Sequence, residues 1–158
     1  MRKVKYAVAL VLAFAISMNG EAHGYTTEPS KRIIEITEEV GEMYYVCPEL
    51  LQAIIFYESS YNNSCRTGSC VGYMQVSEKY HKERAKSLGV SLYSEYGNIL
   101  TGTDYLMELF SRYDDLELAL MKYNGDSRAE ALSKAGKKSE YVEKVLTLSE
   151  QLERAHGK

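Results

Sequence analysis

Residues 47–75, CPELLQAIIFYESSYNNSCRTGSCVGYMQ, change character halfway along. The first half has the pattern of a helix. Pro48 suits the first helical position, where its missing N–H costs nothing. Leu51, Ile54 and Ile55 follow at helical spacing. Glu58 lies seven, four and three positions beyond them, so it belongs to the same face. A carboxylate that ends an apolar stripe is costly to bury unless it is paired or protonated. Burial also raises a carboxyl pKa toward the range a general acid needs. The residues alone leave two readings open: a glutamate held in a structural hydrogen-bond network, or an acid–base catalyst. In the second half the helical pattern stops after Glu58-Ser59. Asn62-Asn63, Gly68 and Gly72 mark a turn-rich loop, with a short hairpin expected near residues 65–75.

Upstream, Pro29-Ser30 opens a helix expected to run to about Tyr45. Its stripe is Ile33, Ile36, Val40, Met43 and Tyr44, with Glu35, Glu38, Glu39 and Glu42 mostly on the other face. Residues 1–22 read as a secretory signal peptide: Arg2, Lys3 and Lys5, an apolar run from Tyr6 to Met18, then Gly20-Glu21-Ala22 for cleavage. That run is short of the roughly 20 residues that span a bilayer, although an uncleaved anchor is the competing reading. Export to a periplasm, cell wall or extracellular space is therefore expected. Residues 23–28 read as a flexible N-terminus.

Downstream, Glu78–Leu88 is a polar helix that Gly89 can terminate, with His81 expected on its solvated surface. After a Tyr-bearing loop, Asn98 can cap a helix to about Tyr113. Gly102 lies on that helix's apolar face, where close packing would explain it. Leu116–Tyr123 is a short apolar helix ended by Asn124-Gly125. Ser127–Ala135 is a small helix. Ser139 can cap a last one bearing Tyr141, Val142, Val145, Leu148 and Leu152, with residues 153–158 expected to fray. The reading is one all-α domain of about seven helices over residues 29–152.

Without residues 1–22, which hold three basic residues and one acidic, the chain keeps 16 Lys and Arg against 21 Asp and Glu, a net charge of −5. That balance argues against a nucleic-acid partner. Fourteen Tyr and no Trp would suit a sugar-binding groove, since Tyr joins a flat apolar face to a polar tip. Of the three cysteines, Cys65 and Cys70 flank a short loop. Cys47 sits at the far end of the preceding helix, roughly 16 Å from Glu58 at 1.5 Å per residue. Cys65–Cys70 is the expected disulfide, with a folded-back loop to Cys47 as the alternative. The three histidines lack ligand spacing, and no metal or cofactor is expected.

Taken together, Glu58-Ser59, Gly72-Tyr73-Met74-Gln75, Asn98-Ile99 with Gly102, Tyr105-Leu106 and Leu109, then Tyr123-Asn124 and Tyr141-Val142 resemble the SLT-type lytic transglycosylases. These share the lysozyme-like fold of glycoside hydrolase family 23 with goose-type lysozymes. The resemblance covers about 100 residues in the family's order. Tyr73 stands for the usual Leu, Lys122 for the usual Ala, and the loop after Glu-Ser is about one residue short. It implies a monomeric enzyme, without cofactor, that cleaves peptidoglycan glycan strands with Glu58 as its one acid–base residue. By position, Ser59, Thr67, Gly72, Tyr73, Met74, Gln75, Tyr123, Asn124 and Tyr141 would line the substrate site, and Tyr123 would hydrogen-bond the acid or the substrate acetamido group. A goose-lysozyme-like hydrolase needs Asp residues to hold water; Asp104, Asp114 and Asp126 match no such motif. A non-catalytic binding domain is the third reading. Short single-domain chains of this kind also resemble enzymes serving a secretion or conjugation apparatus.

Overall fold

The computed structural model describes residues 27–158. The expected signal peptide lies outside the described residues, as does most of the flexible stretch after it. Seven helices form among the described residues: α1 (Lys31–Tyr44), α2 (Pro48–Ser59), α3 (Glu78–Ser87), α4 (Glu95–Tyr113), α5 (Leu116–Tyr123), α6 (Ala129–Lys134) and α7 (Glu140–Ala155). Between α2 and α3 the chain forms three two-residue strands, β1 (Arg66–Thr67), β2 (Cys70–Val71) and β3 (Val76–Ser77), paired antiparallel in that order. The architecture is all-α, and among the described residues this small sheet, which contains the expected hairpin, is the β structure.

Helix α2 is the centre of the core. Leu50, Leu51, Ala53, Ile54 and Ile55 are buried around most of its circumference, as is typical of a helix enclosed by others. It packs against α1 on one side and most extensively against α7 on the other, while α4 joins α1 to α5. Each fully buried Leu or Ile contributes about 1.5–3 kcal/mol. The ends follow local chemistry. The hydroxyls of Ser30, Ser94 and Ser139 and the carboxylate of Asp115 accept backbone N–H groups at the starts of α1, α4, α7 and α5.

Several expectations change. Met43 is 48% exposed, and Thr37 and Gly41 complete the α1 stripe instead; at about 100° per residue Met43 falls roughly 80° from Ile33, on the side of the helix away from Thr37 and Gly41. Helix α4 begins at Glu95 under a Ser94 cap, so Asn98 lies inside its first turns, fully buried. His81 is half-buried against the Tyr105 ring, centroids 4.2 Å apart, because α3 packs on α4. Residues 153–158 do not fray: α7 continues to Ala155, and His156 Nδ1 and Lys158 Nζ reach Glu49 Oε1 at 2.9 and 2.8 Å.

The three cysteines are free thiols, so the expected Cys65–Cys70 bridge is not formed. The hairpin register explains why. Cys70 stands opposite Thr67, and Gly72 N donates to Cys65 O, which makes the two cysteines diagonal neighbours. Diagonal positions are about 7–8 Å apart, beyond the span a disulfide bridges without backbone movement. Hydrogen bonds of the hairpin, rather than sulfur, close this loop.

Candidate active site

Glu58 occupies the last turn of α2, directly before an abrupt reversal. Ser60 and Tyr61 both adopt left-handed backbone, φ 51° and 62°. Consecutive non-glycine residues in that region store strain on the order of 1–3 kcal/mol each. Ser60 N bonds Phe56 O at 2.8 Å and holds the turn. Ser59 is buried and its hydroxyl donates to Ile55 O at 3.1 Å. Its observed partner is thus the backbone of its own helix.

Tyr141, from the first turn of α7, donates its hydroxyl to Glu58 Oε1 at 2.8 Å. Asn124, at the C-terminal cap of α5, places its side-chain amide near the same carboxyl and lowers its pKa. Both partners are neutral, and among the described residues no cation pairs with Glu58. Burial pushes the carboxyl up and Tyr141 and Asn124 pull it down; burial wins, and the pKa rises from 4.5 to about 7. Tyr141 and Tyr123 are both pushed well above the usual phenol range, chiefly by burial and then by the charge of Glu58. They therefore act as hydroxyl donors throughout the physiological range.

Tyr123 comes close to Glu58 but does not bond it. Its hydroxyl donates to Met74 O at 2.9 Å, across a contact that leaves no room for a side chain on α4. A Cβ on Gly102 would sit 2.7 Å from Met74 Sδ and 3.0 Å from the Tyr123 hydroxyl. The close packing expected at Gly102 is thus the seat of the Gly72–Gln75 turn. Asn98 completes it: Met74 N donates to Asn98 Oδ1 at 2.8 Å, and Asn98 Nδ2 donates to Val71 O and Leu92 O at 2.9 and 3.1 Å. At Gly72, φ is +77° and a Cβ would lie 2.3 Å from Asn98 Nδ2, so both backbone and space exclude a side chain. Gln75 also has positive φ, 46°. Its Nε2 donates to Cys65 O and Gly72 O at 3.1 and 2.9 Å, while its Oε1 is buried without a protein partner among the described residues.

The expected residues therefore divide. Tyr141 and Asn124 hold Glu58 itself. Met74 and Gln75 bind the turn to its surroundings, and Tyr123 anchors that turn. Tyr73 is buried and its hydroxyl donates to Glu95 Oε1 at 2.9 Å, which ties the turn to α4. Thr67 is exposed on β1 opposite Cys70. Cys70, expected in a disulfide, is a free, half-buried thiol on β2. Burial, then the charge of Glu58, raises its thiol pKa, which puts it within the field of the acid. The Asp residues a water-holding site would need are engaged elsewhere. Asp104 accepts Tyr44 Oη at 2.9 Å and pairs with Arg84, Asp126 pairs with Arg128 at 3.1 Å, and Asp114 forms the cap of α4. Among the described residues no group of three or more metal-ligating side chains comes together.

A raised, solitary carboxyl at a buried helix end has the character a general acid needs near neutral pH. The chain matches the family model of the Transglycosylase SLT domain over residues 35–144, and it belongs to that family, whose members are lytic transglycosylases acting on peptidoglycan. The match begins within α1, ends within α7, and contains Glu58, the hairpin, Tyr123, Asn124 and Tyr141.

Proposed function

We propose that this protein cleaves the β-1,4 bond between N-acetylmuramic acid and N-acetylglucosamine and leaves 1,6-anhydromuramic ends. The observation that carries the reading is Glu58 itself: a buried carboxyl raised to about 7, bonded by the Tyr141 hydroxyl beside the neutral Asn124 amide, with no second carboxylate among its partners. Most glycosidases pair two carboxylates. Here a single group serves twice. Protonated Glu58 gives its proton to the glycosidic oxygen as the C1–O bond breaks. The resulting carboxylate then takes the proton of the muramic C6 hydroxyl, whose oxygen closes onto C1. Glu58 ends protonated, and no water is consumed. The substrate acetamido group steadies the positive charge at C1. Tyr141 and Asn124 keep the carboxyl oriented and stabilise its anionic form between the two steps. Gln75, with its unpartnered Oε1, Thr67 and Cys70 belong to the substrate side, while Met74, fully buried against Gly102, supports the turn from behind. The enzyme acts as a monomer after export, in a periplasm, cell wall or extracellular space.

The test is digestion of purified peptidoglycan followed by mass spectrometry of the muropeptides. Anhydro ends are one water lighter than reducing ends. Reducing ends alone would transfer the protein to the hydrolase reading, and intact wall with retained binding to the non-catalytic one.

A further inference from the structure

The segment between α3 and α4 lies against the hairpin and carries Tyr93, which is 52% exposed. The residue is nonetheless fixed at both ends. Its hydroxyl donates to Glu78 Oε1, whose second oxygen accepts Arg66 Nη1 at 3.1 Å, and its carbonyl accepts Asn63 Nδ2 at 3.4 Å. Two pockets meet at this ring. One, of about 420 Å³, runs along Lys82, Lys86, Ser91 and Leu92. The other, of about 180 Å³, is bounded by Asn63, Arg66, Val71 and Gly72. Glu58, Tyr123, Asn124 and Tyr141 line neither, and Gly72, at the back of the hairpin, is the one expected substrate-site residue that borders the smaller pocket. Side chains alternate along a strand, so Arg66 and Val71 face away from Thr67 and Cys70. Asn63 Oδ1 is buried beside the smaller pocket without a partner among the described residues.

A rigid, open aromatic face ringed by an amide, a guanidinium, a carboxylate and hydroxyls is the chemistry that holds a sugar. The ring takes the C–H face, and the polar groups take hydroxyl and acetamido groups. A protein partner would call for a wider apolar face than one ring, and a polyanion would meet Glu78 and Glu83 here as well as the lysines.

We propose that the Tyr93 groove is a second, non-catalytic site for an N-acetylamino-sugar strand, which anchors the enzyme on insoluble wall while Glu58 works on the same polymer. This rests on the peptidoglycan reading above, and the experiment separates the two. The Glu58→Gln protein, with and without Tyr93→Ala, is pelleted with purified insoluble peptidoglycan. Tyr93→Ala should weaken pelleting at least fivefold, and Tyr93→Phe, which keeps the ring, should stay within twofold. A titration of the Glu58→Gln protein with chitotetraose, followed by amide NMR, needs no change at Tyr93. It should shift Asn63, Ser91 and Tyr93 in addition to residues around Gln75. Equal pelleting of the Tyr93→Ala protein, or no shift at Asn63 and Tyr93 with millimolar chitotetraose, overturns the second site. If the native enzyme releases anhydro ends in that case, the catalytic reading stands alone. If it releases none while Tyr93→Ala still abolishes pelleting, the groove stands and the catalytic reading falls.

Discussion

Glu49 and Glu58 stand at opposite ends of α2, and their surroundings drive them in opposite directions. Glu49 is only 1% exposed in the first turn, where the helix dipole favours an anion. Burial pushes its pKa up, but hydrogen bonds from Lys158, Cys47 and His156 outweigh that and hold it at about 2. Glu58 sits in the last turn, where the dipole disfavours an anion, and its partners are a phenol and an amide. Its pKa is about 7. One side chain on one helix thus becomes a permanent anion at one end and a proton donor at the other. Burial is common to both; the charge of the partners separates them.

The largest break in this comparison is Glu58→Gln. It keeps shape and hydrogen bonding but has no proton to give. Turnover of peptidoglycan should fall at least 10²–10⁴-fold, the usual worth of a general acid–base group, with binding to purified wall retained. Activity equal to the native enzyme would remove Glu58 from the mechanism.

Next is the opposite end. Deleting residues 156–158 strips Glu49 of His156 and Lys158. Leaving a buried charge unpaired costs about 3–5 kcal/mol, so thermal unfolding near pH 7 should fall by several degrees or more. The sign follows from the lowered pKa. Stabilisation from Glu49 is present above its unfolded value near 4.5 and fades as pH falls toward 2. The truncated and full chains should therefore converge in acid. His156, whose pKa is raised by Glu49 first, contributes below about 6.5 and loses that contribution as pH rises through its folded value.

Glu58→Gln should also stabilise the protein, by an amount that grows from about pH 4.5 and levels off above about pH 7. A carboxyl raised from 4.5 to about 7 penalises the folded state as the unfolded chain gives up its proton first, reaching on the order of 3 kcal/mol above pH 7 at 1.36 kcal/mol per unit. Below pH 4.5 both states bind the proton and the difference should vanish. Denaturant unfolding at pH 4 and pH 8.5 would reveal it, and an equal or less stable variant at pH 8.5 would remove the desolvation argument.

The smallest expected effect sharpens the comparison. Tyr141→Phe removes the hydroxyl that lowers the Glu58 pKa. Turnover should drop by about one hydrogen bond to a charged group, 1.5–3 kcal/mol, and the alkaline limb of the pH–rate profile should move upward. Tyr123→Phe should instead cost about 0.5–1.5 kcal/mol of stability, because its hydroxyl bonds Met74 O, and leave that limb in place. If Tyr123→Phe moved the limb and Tyr141→Phe did not, the assigned partners would be exchanged.

Local pattern carried much of this into the sequence. Apolar spacing, Pro48 and the serine caps made α1, α2 and α7 readable. The greasy stripe ending at Glu58 marked the acid before any neighbour was known. Along the chain Asn98 is visible only as a motif member and a possible cap, because the groups it bonds, on Val71, Met74 and Leu92, are brought to it by the fold.

By itself the sequence determined the helices, the unusual position of Glu58 and the family, because each is written in short-range periodicity or in ordered motifs. Tertiary structure alone decided that Tyr141, 83 residues away, holds Glu58. It also decided that Tyr123 serves the Met74 turn, that the hairpin register keeps Cys65 and Cys70 apart, and that the C-terminal residues neutralise Glu49 across 107 positions. Which hydroxyl or cation reaches a buried carboxyl depends on how helices cross, and no spacing along the chain encodes that.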